Sequence, residues 1–385
     1  MKQLRPILGL SAAHLVTDLY SPVLPAILPL LILENGLPFF AAGLIVTAYQ
    51  LTSSFLQPVV GWAFDRRGIA VHISYSVFLS AFFIALIGFV QDYLFIMACA
   101  MLAALGHAFF HPSALGTVSR LAKDGVRGRL TAYFVVGGNL GFAIGPILTG
   151  IVVGMYGLQG LGLLLIPGLL TAATLQFALP RPASVPEVVS EKGASKMTRQ
   201  QRNGISLLIA ASAFRSWAIF SSIAFLPTFI AQGGADVIWA NMLVSGMLFA
   251  GVAGQVVGGI LSDRYGRKEF TLTGLVLSIP PFVLFLATTG WVSVICLLAF
   301  GFLLWSTFSV TVAMAHEMVP QNVGLISGLV LGFAVGSGGA GVAVIGYLAD
   351  LFSLGTALSL LVVPIMLSLI FFGLVPYPWK GRESP

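Results

Sequence analysis

Charged residues are scarce in this sequence. They make up 8% of the 385 residues, whereas 58% are apolar and the mean hydropathy is +0.99. A water-soluble chain carries about a quarter charged residues, so a soluble globular domain is excluded. Apolar runs of about 18 residues or more recur along the chain, and each can cross the ~30 Å hydrocarbon layer of a bilayer. The sequence therefore predicts an all-α polytopic membrane protein, and its net charge of +6 does not indicate nucleic-acid binding.

Cysteine and nucleotide-binding motifs are also scarce. Cys99 and Cys296 both lie in apolar runs, which predicts neither a disulfide framework nor a four-ligand zinc site. No Walker phosphate loop is present, which argues against direct ATP driving. The run "GSGGAG" at 336–341 lies inside an apolar segment, without the strand that a dinucleotide-binding loop follows. We therefore expect no cofactor.

Twelve membrane-spanning helices are predicted, with a long polar stretch between the sixth and the seventh. That stretch is rich in proline, charge and small residues, as a linker would be. We expect an N-terminal six-helix bundle at 1–180, a cytoplasmic linker at 181–203 and a C-terminal six-helix bundle at 204–385. The predicted spans are 6–33, 39–63, 69–90, 93–118, 129–153, 159–179, 204–231, 237–261, 268–288, 291–315, 323–348 and 355–376.

The basic residues lie on one side of this predicted topology. All but one of the 19 Lys and Arg residues fall at the two ends, in the linker or in the loops after even-numbered spans. By the positive-inside rule, both termini are predicted to be cytoplasmic. We expect a multi-pass protein in the cytoplasmic membrane of a prokaryote. The exception is Arg215, which lies roughly 16 Å into the seventh span.

A short polar motif occurs twice at equivalent places. "GWAFDRRG" (61–68) follows the second span and "GILSDRYG" (259–266) follows the eighth, at a constant offset of 198 residues. Two related halves are typical of a transporter built around a pseudo-twofold axis. The repeated motif also supplies gating candidates on the cytoplasmic side, which are Asp65, Arg66, Asp263 and Arg264. Arg120, at the inner end of the fourth span, is a further gating candidate because it could pair with Asp65.

These motifs resemble those of a known family. The doubled Gly-x-x-x-Asp-Arg-x-Gly pattern resembles the signature loop of the major facilitator superfamily, and "GGNLGFAIGPILTG" (137–150) resembles its glycine–proline motif, which is associated mainly with exporters. "HLVTDLYSPVLPAILPLL" (14–31) and "GHAFFHPSALGTVSRLA" (106–122) resemble patterns of the fosmidomycin-resistance family of proton-driven exporters. The resemblance covers essentially the whole chain. It implies two pseudo-symmetric six-helix bundles around a cavity lined by spans 1, 4, 7 and 10.

Few ionisable residues lie inside the predicted spans. A charge at the bilayer midplane costs at least ~2.5–3.5 kcal/mol on insertion scales, so such residues are functional candidates. His14 and Asp18 lie one turn apart on the first span, and His107 lies on the fourth. Because burial disfavours a charged carboxylate, we expect Asp18 to take up a proton, helped by His14 and His107. The structural alternatives are a permanent Asp18–Arg215 ion pair and a hydrogen bond of His14 across a helix interface.

Substrate-binding candidates lie on the same spans. The planar, permanently charged guanidinium of Arg215 suits an anionic headgroup such as a phosphonate. His111 is a second candidate, although its ring could instead satisfy backbone groups near Pro112. Further candidates, each able to hydrogen-bond or stack with a ligand, are Tyr20, Tyr49, Gln50, Asn139 and Trp305.

Together these features predict a proton-coupled drug/proton antiporter, which exports a small anionic or amphiphilic compound such as fosmidomycin by alternating access. It is expected to act as a monomer, with protons, the small-molecule substrate and the lipid bilayer as its partners. An importer or symporter of an anionic metabolite, sugar or metal chelate is the alternative on the same fold.

A metal-dependent function was also considered. His107 and His111 have a spacing that can ligate a metal, but a membrane diiron enzyme needs many histidines and this chain has five. No His-Glu-x-x-His motif occurs either. We therefore predict no enzyme and no metal site. A metal-ion transporter that uses His14, Asp18, His107 and His111 stays an alternative.

Overall fold

The structure, a computed structural model, describes residues 4–67, 71–121, 127–178, 197–322 and 326–379, and within these residues every regular element is helical. Short 3₁₀ or π segments occur at Leu30–Glu34, Gly157–Leu164, Pro320–Asn322 and Gly328–Phe333. The α-helices are α1 (Leu4–Leu19), α2 (Val23–Pro29), α3 (Phe39–Arg67), α4 (Ile73–Ile87), α5 (Tyr93–Leu121), α6 (Arg127–Tyr156), α7 (Leu165–Ala178), α8 (Arg199–Gln232), α9 (Val237–Tyr265), α10 (Arg267–Ala287), α11 (Gly290–Met318), α12 (Ala334–Leu351), α13 (Leu354–Ser359) and α14 (Val362–Leu374).

Ten helical segments of the described residues are long and apolar enough to cross a membrane. Nine of them each overlap one predicted span. The tenth, Leu130–Ala178, is 49 residues long and covers two predicted spans. The apolar helix Ile73–Ile87 lies within the predicted span 69–90 but is shorter than the other segments. The prediction of an all-α membrane protein is confirmed.

Prolines interrupt the first membrane segment. α1 ends at Leu19, a turn follows, and α2 begins at Val23 directly after Pro22. Proline lacks a backbone N–H and fits only the first turn of a helix without loss of a hydrogen bond. Gly145 of α6 makes room for this turn, because a Cβ added there would lie 2.5 Å from Cγ of Pro22.

The chain forms two compact units. Unit 1 comprises Met1–Leu37, Leu44–Val189 and Leu226–Ser245, and in it α1 packs along α6 while α4 packs against α5 and α7. Unit 2 comprises Pro38–Gly43, Ser190–Phe225 and Gly246–Pro385, and in it α10 packs against α11 and α14.

Several helices extend beyond the apolar runs that predict them. α9 continues through Asp263 and Arg264 to Tyr265, and Gly266, with φ of +99°, is the only residue between α9 and α10. The repeated motif is therefore the end of a helix and not a loop. α8 begins at Arg199, before the predicted start of the seventh span at 204, and residues 179–196 of the linker region lie outside the described residues. Hydropathy detects only the apolar part of a helix. It therefore does not reveal where a helix continues through polar residues beyond the membrane.

Candidate functional site

Glycines on α6 hold α1 at backbone distance. A Cβ added to Gly137, Gly141 or Gly145 would lie 2.3, 1.9 or 2.6 Å from a carbonyl oxygen of the facing chain between Ser11 and Leu19. Small residues at four-residue spacing let two membrane helices approach closely, and any larger side chain would separate them. This contact fixes the rotation of α1, and with it the positions of His14 and Asp18.

His14 and Asp18 form a close pair beside Gly138 of α6. Nε2 of His14 lies 3.1 Å from Oδ2 of Asp18, and Nδ1 of His14 lies 2.8 Å from the carbonyl oxygen of Phe134. The imidazole also stacks on the Phe134 ring, with 4.2 Å between the centroids. A Cβ on Gly138 would lie 2.4 Å from Nε2 of His14 and 2.6 Å from Oδ2 of Asp18. Only glycine fits against this pair.

Two histidines of α5 complete the surroundings of Asp18. Oδ1 of Asp18 lies 3.4 Å from Nε2 of His111 and 3.9 Å from Nδ1 of His107. The two Nε2 atoms of His107 and His111 are 2.8 Å apart. Their four-residue spacing places both rings on one face of α5, as predicted. We call these four residues, His14, Asp18, His107 and His111, the Asp18 cluster.

The hydrogen bonds of the cluster limit where its protons can be. A carbonyl oxygen only accepts, so Nδ1 of His14 donates to Phe134, and Nε2 of His14 carries a hydrogen only when the ring is an imidazolium. Nε2 of His14 and Oδ2 of Asp18 can therefore form a hydrogen bond with one shared proton, held either on the imidazole or on the carboxyl. Without that proton, a nitrogen lone pair faces an anionic oxygen. The pair is thus suited to hold one exchangeable proton.

Exposure differs within the cluster. His14 is 6% exposed, whereas the side chains of Asp18 and His111 are 15% and 25% exposed. The His111 side is therefore the more exposed edge of the cluster, and His107 hydrogen-bonds to His111 there.

Three members of the cluster also have the ligand types of a cation site. One ligand atom from each of His14, Asp18 and His111 lies within 4.8 Å of the others. However, Nε2 of His111 is already hydrogen-bonded to His107 at 2.8 Å, so a metal ion would have to displace that bond. Proton binding requires no such rearrangement.

Arg215 of α8 has a different environment in unit 2. It is 1% exposed, and its Nη1 donates to the carbonyl oxygen of Thr307 at 3.0 Å and to Oγ1 of Thr311 at 2.5 Å. Its guanidinium lies 5.4 Å from the ring centroid of Phe308 and 5.8 Å from that of Phe372. Nε is buried and makes no hydrogen bond within the described part of the chain. Among the described residues of unit 2, no carboxylate lies within the 4.0 Å ion-pair distance of Arg215. The threonine acceptors were not identified from the sequence.

The remaining substrate-binding candidates are dispersed. The ring of Tyr49 lies 6.1 Å from that of His107, which places Tyr49 beside the Asp18 cluster. The hydroxyl of Tyr20 donates to the carbonyl oxygen of Leu164 at 2.8 Å and is buried, away from the cluster's hydrogen bonds. Gln50 is buried, Asn139 is half-buried next to Gly138, and Trp305 packs close to Gly251 in unit 2.

The gating candidates are only partly described. Asp65, Arg66 and Arg120 have helical backbones, but their side chains lie outside the described part of the structure. Asp263 pairs with Arg267 at 3.0 Å, and the guanidinium of Arg264 lies 5.4 Å from the ring centroid of Tyr265.

A cluster that the sequence did not predict lies at the end of α11. Nε of Arg267 donates to Glu317 at 2.7 Å, and the hydroxyl of Tyr377 donates to the same carboxylate. Burial, followed by the hydrogen bond and charge of Glu317, raises the pKa of Tyr377, so the phenol remains protonated and donates. These contacts join residues that are distant in the sequence, and no local pattern indicates them.

Comparison with known proteins places the chain in a family. The family model described as Major Facilitator Superfamily matches residues 8–240 and 207–385. The chain is 33% identical to the "Fosmidomycin resistance protein" of Escherichia coli (strain K12), over 89% of this chain and 86% of that protein. It is 30% identical to the "Uncharacterized MFS-type transporter YfnC" of Bacillus subtilis (strain 168), over 96% of this chain and 92% of that protein.

A solved structure has the same fold. It is a bacterial homologue of the human lysosomal transporter Spinster in an inward-facing and occupied conformation, with a TM-score of 0.82, 16% identity and full coverage of both chains. The family match and the similarity to transporters identify the chain as a polytopic membrane transporter and not an enzyme. The chain belongs to the Major Facilitator Superfamily. The resemblance to the fosmidomycin-resistance family, expected from the motifs at 14–31 and 106–122, is confirmed.

Proposed function

We propose that this protein is a proton-coupled antiporter of a bacterial inner membrane, which exports a small anionic or amphiphilic compound such as fosmidomycin. The observation that carries the proposal is the Asp18 cluster, in which one carboxylate lies within 4 Å of nitrogens from three histidines. A partly buried acid beside three imidazoles is suited to reversible protonation inside a membrane. The similarity to the fosmidomycin resistance protein supports the substrate class.

We further propose twelve membrane crossings in two pseudo-symmetric halves, with both termini in the cytoplasm. The segment Leu130–Ala178 would be about 73 Å long as one helix, more than twice the ~30 Å hydrocarbon thickness. It contains a turn at Gly157, where φ is +62°. Two crossings there, together with Ile73–Ile87, bring the ten segments to twelve. The basic residues at the ends, in the linker and after even-numbered spans support the orientation. One chain then contains a complete transport unit and acts as a monomer.

In the proton step, one proton occupies the space between Nε2 of His14 and Oδ2 of Asp18. When it leaves by way of His111 and His107, the lone pair of His14 faces a carboxylate. This repulsion favours a conformation in which the two groups separate or Asp18 meets another cation. Gain and loss of the proton therefore favour different conformations, as coupling requires.

In the substrate step, Arg215 binds the anionic headgroup. Its charge is stabilised by threonine oxygens and by the faces of phenyl rings. Its Nε–H makes no hydrogen bond within the described part of the chain and can donate to a ligand. An anion that binds here removes a buried, uncompensated charge, which makes a charge-assisted bond strong. Proton and substrate then compete through opposed conformational preferences, and the transporter alternates between two access states.

The test is transport of fosmidomycin in proteoliposomes with an imposed pH gradient. The normal protein is expected to drive uphill transport against the proton flow, and Asp18→Asn is expected to abolish it while downhill exchange of substrate continues. Asp92→Asn is the matched control, because Asp92 caps its own helix α5 through Phe95 and lies outside the cluster. Uphill transport by Asp18→Asn at the normal rate would contradict the proposal. Uphill transport in the direction of the proton flow would instead establish a symporter.

A further inference from the structure

The N-terminus of α3 is capped by a carboxylate from a distant part of the chain. Oδ1 of Asp350 accepts from the N–H of Phe39 at 2.9 Å, and Oδ2 accepts from the N–H of Phe40 at 2.8 Å. The first N–H groups of a helix lack intrahelical partners and carry partial positive charge. The Asp350 side chain of α12 therefore accepts from two N–H groups of α3 and places a negative charge at the positive end of the α3 dipole. Asp350 and Phe40 are 310 residues apart in the sequence.

Other aspartates in the chain make ordinary local caps. Oδ1 of Asp92 accepts from the N–H of Phe95 at 2.8 Å, and Oδ1 of Asp236 accepts from the N–H of Trp239 at 2.7 Å, each three residues ahead. Such a cap stabilises only the helix that it begins. The cap of Asp350 differs because it joins α3 to α12, which come from opposite ends of the sequence.

The backbones around this cap are in close contact. A Cβ added to Gly346 of α12 would lie 2.4 Å from the carbonyl oxygen of Phe39, and the rings of Phe40 and Tyr347 are 6.0 Å apart. The segment Pro38–Gly43, which contains the first turn of α3, belongs to unit 2, whereas the rest of α3 belongs to unit 1. The contact with α12 thus determines where the first turn of α3 is held.

We propose that Asp350 is a latch residue of the transport cycle, which holds the first turn of α3 on α12 in one access state and releases it in the other. This rests on the alternating-access function proposed above. Asp350 is exposed, so water can replace the two amide donors when the contact opens, and the bond is reversible. In the proposed topology the start of α3 lies on the external face, so the latch closes the external route.

Disulfide trapping tests the latch without reference to protons. Cysteines replace Phe40 and Tyr347 in a background in which Cys99 and Cys296 are changed to alanine. When an oxidant such as copper phenanthroline is added to membrane vesicles, we expect rapid cross-linking, a rate at least about tenfold slower in Asp350→Asn, and an unchanged rate in Asp92→Asn. Gly346→Ala, which leaves the carboxylate intact but separates the backbones, is expected to slow the reaction as well. The cross-linked protein is expected to stop transport until a reductant is added.

The outcomes separate the latch from the proposed function. A cross-linking rate that is equal in the normal protein, Asp350→Asn and Gly346→Ala would overturn the latch, as would full transport by the cross-linked protein. If cross-linking depends on Asp350 but no proton is coupled to transport, the latch stands and the proton-coupling proposal fails. Because Gly346→Ala keeps the Asp350 carboxylate, it tests the same contact by a second route if Asp350→Asn folds poorly.

Discussion

Asp18 in unit 1 lies within 4 Å of three histidine nitrogens, whereas Arg215 in unit 2 is met by threonine oxygens and phenyl rings. Both groups lie in membrane helices, Asp18 partly buried and Arg215 fully buried. An imidazole can both donate and accept a proton, whereas a threonine hydroxyl or a phenyl ring does not titrate. In the proposed function the Asp18 cluster therefore carries the charge that changes, and Arg215 carries the charge that is constant.

The comparison predicts that the two sites fail differently. Changes in the Asp18 cluster should alter the pH dependence of transport, and changes around Arg215 should alter the affinity for an anion at every pH. In the proposed antiporter, the Asp18 cluster exchanges protons while Arg215 keeps its attraction for the anionic substrate.

The largest effect on substrate affinity is expected from changes of Arg215. Arg215→Ala should weaken fosmidomycin binding about 10- to 100-fold, because a charge-assisted hydrogen bond is lost. Arg215→Lys should lose less affinity, since it keeps the charge but not the planar fork. Titration calorimetry on purified protein measures both, with Arg199→Ala at the exposed start of the same helix as the control. Normal affinity in Arg215→Ala would exclude Arg215 as the anion ligand.

The next largest effect, on stability and on the pH profile of transport, is expected from a change of Gly138. Gly138→Ala places a methyl group within 2.6 Å of both His14 and Asp18, and overpacking of this kind destabilises a fold by about 1–3 kcal/mol. We expect a lower thermal unfolding temperature and an altered pH profile of transport. Gly9→Ala on α1, where a Cβ meets nothing within 4 Å, is the control. Equal stability and equal pH profiles in the two variants would show that Gly138 is not the close contact described.

The two histidines of α5 are expected to differ from each other. His111 lies 3.4 Å from Asp18 and is the more exposed, whereas His107 lies 3.9 Å away. His111→Gln should lower pH-driven transport about three- to tenfold, and His107→Gln about twofold. Transport rates across a series of imposed pH gradients provide the measurement. A larger loss in His107→Gln would reverse the order and place the proton route along that residue.

A small effect, on anion affinity alone, is expected from the threonines that contact Arg215. Thr311→Val removes a hydroxyl that accepts from Arg215 but keeps the shape of the side chain, so anion affinity should change about two- to threefold. The pH profile should stay the same, since Thr311 does not titrate. A shift of that profile in a pH-dependent transport assay would contradict the separation of the two sites.

Much of the fold is evident in the sequence because apolar runs define membrane helices. The four-residue spacings of His14 with Asp18 and of His107 with His111 also correctly predict that each pair shares a helix face. These are local relations, fixed by the 3.6-residue turn of the helix.

The partners across helices were not predictable in the same way. α1 packs closely on α6 because Gly137, Gly141 and Gly145 leave room for its backbone. Their four-residue spacing is visible in the sequence, but there it indicates only a family motif and not the helix that packs against it. The acceptors of Arg215 are threonines in an apolar run, which resemble ordinary packing residues until α8 and α11 are brought together. The cap of α3 by Asp350 joins positions 310 residues apart, and no spacing rule reaches that far.

Measuring proton release during substrate binding tests most directly whether proton and substrate binding are coupled. Fosmidomycin is added to the purified protein in a weakly buffered solution, and the change in pH is recorded together with the amount bound. The normal protein is expected to release about one proton per bound molecule, because binding favours the state in which the His14–Asp18 pair is empty, and Asp18→Asn is expected to bind without release. Equal release by Asp18→Asn, or binding by the normal protein with no release at any pH, would contradict an Asp18 cluster that exchanges its proton for substrate.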